Sequence, residues 1–383
     1  MKSARLGGPG RTVSGVGGLC SGRICYHVGA MDAQGRFVAG LLGSAAGAYA
    51  AGAVERQRTH DPELEARYGA GGLRQLRRET EYRVRYLAEA LAAGRPALFH
   101  DHVAWLKLAS TARGVPVSDV SGNLTCLLAE LGERLPDVAA TRATEYLTSA
   151  IAHLASAPEE TASFLADDNP HCDLARRYLL ASLEARRDDA VAAVMEAMDA
   201  GVSGDDLHRD VFGLVQAELG RLWQLGQINV SEEHLATNIT EQAIAAVHAR
   251  MSRTLPNGRR VLVTAVGGDL HAIGGQLVSN AFEKAGWTCY YLGANTPATD
   301  LAQAVTHFAV DVLAVSVHLA VQISETADLI AAVRALPEPV GLRILVGGPP
   351  FNAVEDLWEV VGADGCARDA AGAVTEATRL IDA

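Results

Sequence analysis

The sequence predicts a multidomain chain with an N-terminal all-α domain, a four-helix bundle and a C-terminal doubly wound α/β domain. Three observations lead there. Residues from about 36 to 157 carry apolar side chains at helical spacing. A loop signal, Asp167-Asp168-Asn169-Pro170, then introduces a second helical block that ends near 254. Beyond Pro256, short β-branched runs alternate with helical stretches, the pattern of a parallel sheet covered on both faces.

Residues 1–35 are rich in Gly, Ser and Arg, show no periodicity and read as a flexible tail. The first helical domain is placed at 36–166. Its segment 37–54 is uncharged and approaches the ~18 residues that raise the question of a membrane span. More than half of it is Ala or Gly, so its transfer energy is weak. It reads as one packed helix in a cytoplasmic protein with no membrane partner. Helices follow at 73–93, stopped by Gly94 and Pro96, and at 97–113, stopped by Gly114 and Pro116. Two more are expected at 119–135 and 137–156.

The bundle is placed at 170–255, with helices at 173–185, 188–200, 204–225 and 231–253. Ser203 and Ser231 are the expected N-caps, because a hydroxyl there satisfies an orphan backbone N–H. The α/β domain is placed at 258–383. Its strands are expected at 261–266, 288–292, 312–317, 343–346 and 365–367. Helices are expected at 274–285, 300–308, about 325–335 and 352–361.

The net charge of −12 repels a phosphate backbone, so no direct nucleic-acid partner is expected. The 6 cysteines are scattered without a CxxC pair, which fits free thiols in a reducing compartment.

The chemistry concentrates at the carboxyl ends of the predicted strands, where ligands of such sheets bind. Asp269 and His271 stand two residues apart after the first strand, followed by Gly274. Histidine is the commonest neutral nitrogen ligand of a transition metal, and a ligating His usually gives its other N–H to a carboxylate. A lone loop His is usually inert, but this one has company. Asp269-x-His271-x-x-Gly274, Ser316 after the third strand and Gly347-Gly348 after the fourth resemble the Rossmann-like cobalamin-binding domain of methionine synthase and methylmalonyl-CoA mutase. That family has Leu two residues after the Ser; here Leu319 falls one residue late. The resemblance implies that His271 is the lower axial ligand of cobalt and Asp269 its relay. It assigns Ser316, Gly347 and Gly348 to the slot for the benzimidazole tail. His318 stands where that family more usually has a small or aliphatic residue, and is either a polar wall of the slot or simply tolerated. Gly274 lets the bulky ligand approach the backbone.

In the bundle, Trp223 lies near one helix end, and Glu233 and His234 open the next helix. The Trp-x9-Glu-His spacing resembles cobalamin-based photoreceptors, the light-responsive repressors of carotenoid genes. By that resemblance Trp223, Glu233 and His234 cap the upper face of adenosylcobalamin. The chain departs from them in having Gln224 after the Trp and no recognisable helix-turn-helix reader.

The N-terminal domain, in its layout, resembles photocobilins, whose globin-like domain also binds biliverdin. His100, His102, Trp105, Lys107 and Arg113 are the bilin contacts this implies. The resulting expectation is a light sensor, not an enzyme, driven by photolysis of the cobalt–carbon bond. It would act as a homo-oligomer or on a protein output partner. The alternative is a corrinoid methyl carrier serving a methyltransferase, with the same fold and the same His271.

Overall fold

The computed structural model describes residues 31–337 and 340–383. The expected tail falls mostly on residues 1–30, outside the described residues. Its last part is ordered as helix, since α1 (Ala33–Ser44) begins at an N-cap where the Asp32 side chain accepts the Gln34 N–H.

Helix α2 (Ala46–His60) follows after a single residue and a bend of 71°. The uncharged segment is therefore two helices, not one. Their buried faces, Val38 and Leu42 in α1 and Ala50 and Ala53 in α2, lie in the domain core. No single helix among the described residues is long and apolar enough to cross a membrane.

The domain continues through α3 (Leu64–Ala93), α4 (Pro96–Ala112), α5 (Val117–Arg134) and α6 (Asp137–Ser156). Helix α3 ends at Gly94, whose left-handed φ of 65° lets the chain turn straight into Pro96 at the first turn of α4.

The bundle comprises α7 (Cys172–Leu183), α8 (Arg187–Asp199), α9 (Gly204–Asp206), α10 (Leu214–Gln224) and α11 (Val230–Arg250). A π-helical turn, Leu207–Gly213, joins α9 to α10. Ser203 caps α9 as expected, accepting the Asp206 N–H. The expected cap at Ser231 is corrected. Asn229 caps α11, and Glu232 closes a capping box on the Asn229 N–H, so the helix begins earlier.

The α/β domain holds β1 (Arg260–Ala265), α12 (Ile273–Lys284), β2 (Thr288–Tyr291), α13 (Ala298–Phe308), β3 (Val312–Ser316) and α14 (Ile323–Arg334). It closes with β4 (Arg343–Gly347), α15 (Pro349–Ala353), α16 (Leu357–Val361), β5 (Gly365–Ala367) and α17 (Ala370–Asp382). The helix expected at 352–361 is two short ones, because Val354 is extended. The final helix, capped by Asp369, was not anticipated.

All strand pairs are parallel, in the order β2-β1-β3-β4-β5. The chain runs outward from β1 to β2 and then crosses back past β1 to β3 on its other side, so the order reverses between β1 and β3. Their carboxyl ends therefore form the crevice where such sheets take ligands. Pairing of Ala265 with Ser316, and of Ser316 with Gly347, aligns three strand ends at that crevice.

The N-terminal domain rests on the α/β domain through α3. Arg36 pairs with Asp328, and Arg95 with Asp356. Glu89 Oε2 accepts the Ser324 N–H at 2.8 Å, in the first turn of α14. Burial pushes the Glu89 carboxyl up to about 7, despite that donor. Its folded value thus lies above its ordinary 4.5, so folding favours the protonated form. That contribution is complete at pH below the ordinary value and is lost as pH rises through about 7. Discounted for partial solvent access, it amounts to roughly 2 kcal/mol. We expect Glu89→Gln to flatten the decline of urea stability between about pH 5 and about pH 8. Parallel profiles for variant and parent would show that Glu89 does not set this slope.

Candidate functional site

The loop after β1 is shaped by its own backbone and by the loop after β2. The Asp269 N–H bonds the Val266 carbonyl at 3.1 Å, and the Gly268 N–H bonds Asn295 Oδ1 at 2.8 Å. The Tyr291 hydroxyl donates to the Ala272 carbonyl at 2.8 Å and steadies the entry to α12. Asn295 and Tyr291 were missed in the sequence. The signal for Asn295 was its place before Thr-Pro in a turn, where Asn tolerates its positive φ of 57°.

Asp269 is 1% exposed and fully engaged. Its Oδ1 accepts the His271 ring Nδ1–H at 2.7 Å and the His271 N–H at 3.0 Å, and its Oδ2 accepts the His318 N–H at 2.7 Å. Burial opposes its ionisation, but these donors outweigh burial and hold the carboxyl below its ordinary range. With Nδ1 carrying the proton, Nε2 of His271 keeps its lone pair. The His271 side chain is half exposed at the crevice. The donor chemistry therefore fits a metal that needs one nitrogen from the protein and brings its other ligands with it. The ring of His318 stacks on His271 with centroids 3.7 Å apart.

Ser316 and Gly274 face each other across the crevice, since a Cβ on Gly274 would stand 3.6 Å from Ser316 Oγ. Gly347 and Gly348 lie against backbone. A Cβ on Gly347 would come 2.8 Å from the Ala367 carbonyl, and one on Gly348 2.0 Å from the Val317 carbonyl.

The bundle stands on α12. Ile273 and Leu277 pack against the bundle core, His248 bonds Glu283 at 2.9 Å, and Lys284 pairs with Asp205. The loop bearing His271 leads directly into that contact. At the far end of α10, Glu233 bonds the His234 ring at 2.6 Å and the Thr237 hydroxyl at 2.8 Å. Trp223 is partly exposed, with its ring 6.1 Å from that of Trp105.

The residues expected to hold a bilin have protein partners. His100 bonds Ser149 at 2.9 Å and stacks on His153. His102 stacks between Tyr86 and Trp105, and burial pushes its imidazole down to about 3. Lys107 is buried, donating to the Ala157 carbonyl at 2.7 Å. Arg113 donates to the Trp223 carbonyl at 3.1 Å and the Gln224 carbonyl at 2.5 Å, while the Gln224 amide donates to the Trp105 carbonyl at 3.2 Å. Arg113 thus latches the N-terminal domain onto the negative end of the α10 dipole. We expect Arg113→Ala to weaken this latch by about 1 kcal/mol, roughly fivefold in amide exchange over the last turn of α10. Unchanged exchange would show that the latch carries no load.

Comparison with known proteins defines the class. Residues 259–378 match the B12 binding domain model, and residues 174–248 match a second B12 binding domain model. The α/β domain and the bundle are thus cobalamin-binding domains. Dimethylamine corrinoid protein 1 of Methanosarcina acetivorans is 21% identical over 195 residues, 50% of this chain and 91% of its own length. The structure of the Methanosarcina barkeri monomethylamine corrinoid protein shares the fold, with a TM-score of 0.50 at 17% identity, over 55% of this chain and 99% of its own. The HTH-type transcriptional repressor CarA of Myxococcus xanthus is 34% identical, but only over 124 residues, 32% of this chain and 41% of its own length.

These findings correct the light-sensor expectation. The relatives aligned along nearly their whole length are methylamine corrinoid proteins, whereas the repressor aligns along less than half of its own. The expected photoreceptor function, with a biliverdin chromophore, is accordingly withdrawn.

Proposed function

We propose that this chain is a corrinoid methyl carrier that serves a methyltransferase. The observation that supports this most is the alignment of half of this chain with dimethylamine corrinoid protein 1 over 91% of that protein's length. The crevice geometry agrees with it.

When bound, the corrinoid would supply a cobalt able to accept a methyl group and pass it on. The chain's own residues hold and shield it. His271 Nε2 would hold the cobalt, and Asp269 fixes the His271 tautomer and supports its basicity through the Nδ1 hydrogen bond. Ser316, Gly274, Gly347 and Gly348 border the slot for the nucleotide tail. Trp223, Glu233 and His234, at the end of the bundle, would shield the bound corrinoid from water. The partner would be a methyltransferase acting on a small methylated compound, a class suggested by the methylamine names of the relatives.

The test is reconstitution. The apo-chain is loaded with cobalamin, charged with labelled methyl, and mixed with a methyltransferase encoded by the same source. Label leaving the chain at the rate of substrate turnover supports the carrier. Retention of the label, with cobalamin bound, would sink it.

A further inference from the structure

We infer that His318 is a positioning residue that fixes the plane of His271 by ring stacking. The inference rests on the reading of His271 as the axial ligand and deepens it. Three observations carry it.

The first is geometric. The two imidazoles lie 18° from parallel with centroids 3.7 Å apart. A ring at that separation occupies the space into which His271 would otherwise rotate.

The second is the shared anchor. One oxygen of Asp269 receives the His271 ring, and the other receives the His318 backbone N–H. A buried carboxylate thus holds the His271 ring and the His318 backbone together, which fixes the point from which the His318 ring reaches over His271.

The third is exposure. The His271 side chain is half exposed, on a loop beyond the end of β1. A hydrogen bond from Nδ1 alone is a single pivot, and the ring can tilt about it. A side chain that must meet a metal needs its orientation locked by packing as well as by a hydrogen bond. His318 supplies that second constraint. It does so with a planar face and without placing a charge or a bulky aliphatic group at the crevice.

The role belongs to the ring, not to its nitrogens. The His318 backbone N–H survives any substitution but proline, so side-chain variants isolate the stack. Phenylalanine keeps a flat face and removes both ring nitrogens. Alanine removes the face.

The experiment titrates apo-protein with cobalamin by absorption. It also records the electron paramagnetic resonance spectrum of the cobalt(II) form, in which nitrogen splitting reports the axial imidazole. His318→Ala is expected to bind about 10-fold more weakly, the lower part of the range for groups that orient a metal ligand. Its nitrogen splitting should be broadened. His318→Phe should restore both affinity and sharp splitting. Equal losses in His318→Ala and His318→Phe would overturn the inference, because a ring nitrogen would then be the active group. Unchanged affinity and splitting in His318→Ala would also overturn it. Thermal denaturation of the apo-variants is recorded in parallel, and a Phe variant that folds but does not rescue counts against the stack. None of these readouts involves methyl transfer, so failure of the carrier reading leaves this result standing, and failure here leaves the carrier reading untouched.

Discussion

Replacing Asp269 with Asn is expected to weaken cobalamin binding by 10- to 100-fold while the α/β domain still folds, about the cost of losing a ligand's orienting partner. The argument comes from counting donors. Three N–H groups point at this carboxylate, one from the His271 ring and two from the backbone of His271 and His318. A carboxylate accepts all three. An amide of the same shape accepts on its oxygen only and turns an NH2 toward the other side. If that NH2 faces His318, one backbone N–H loses its acceptor. If it faces His271, the ring must give up its Nδ1 proton to accept, and the proton moves to Nε2, where it blocks the metal. The side chain is fully buried, so water does not repair the mismatch freely. Asp269→Ala leaves all three donors without the carboxylate and should in addition cost the apo-protein about 2–4 kcal/mol. Absorption titration with cobalamin reads the first effect, and urea denaturation of the apo-protein reads the second. Wild-type affinity in Asp269→Asn would show that the tautomer of His271 is not held from this position.

This pair of residues was legible because it stands at the carboxyl end of a predicted strand, in company with Gly274, Ser316 and Gly347-Gly348, in a pattern that resembles a known family; the spacing alone would have left His271 an ordinary loop residue. The parallel sheet was legible from local pattern, since short apolar runs between helices leave few other arrangements. What the sequence concealed depends on contacts between distant segments. Asn295 serves the first loop from the second, and nothing local in the 267–274 stretch announces it. Helices α1 and α2 read as one because Ala and Gly carry no directional signal, and the bend at Ala45 is set by packing on α3. Arg113 and Lys107 looked free to hold acidic groups, as surface cations do. Arg113 instead ends on backbone carbonyls across a domain boundary, and Lys107 is taken up inside its own domain by the Ala157 carbonyl and the Glu159 carboxylate. Functional class was the least legible of all. The Trp223, Glu233 and His234 spacing pointed to a light sensor, and the near full-length relatives point to a methyl carrier. A motif of three residues constrains what lies near a cofactor, not what the cofactor is used for.

The glycines of the crevice separate the demands of the fold from those of the ligand, and two substitutions should resolve them. Gly348 has φ 120° and ψ 174°, a conformation essentially restricted to glycine. A Cβ there would lie 2.0 Å from the Val317 carbonyl oxygen and 2.9 Å from its carbon, both backbone atoms of the strand end beside it. Neither can yield without breaking the pairing between β3 and β4. Gly348→Ala is therefore expected to destabilise the apo α/β domain by roughly 2–5 kcal/mol, the sum of backbone strain and overpacking. Gly274 behaves oppositely. Its Cβ would find Ser316 Oγ at 3.6 Å, an ordinary contact, and alanine in a helix is favoured over glycine by roughly 0.5–1 kcal/mol. Gly274→Ala should leave the apo-protein as stable as the parent or slightly more so. It should weaken cobalamin binding, because the added methyl projects into the opening between α12 and Ser316 through which the nucleotide tail would pass. Urea midpoints of the two apo-variants, followed by cobalamin titration of Gly274→Ala, read both effects. Full affinity in a stable Gly274→Ala would move the tail slot away from Ser316. A stable Gly348→Ala would mean that β3 and β4 can part at their carboxyl ends without loss, and the double glycine would then belong to the ligand rather than to the sheet.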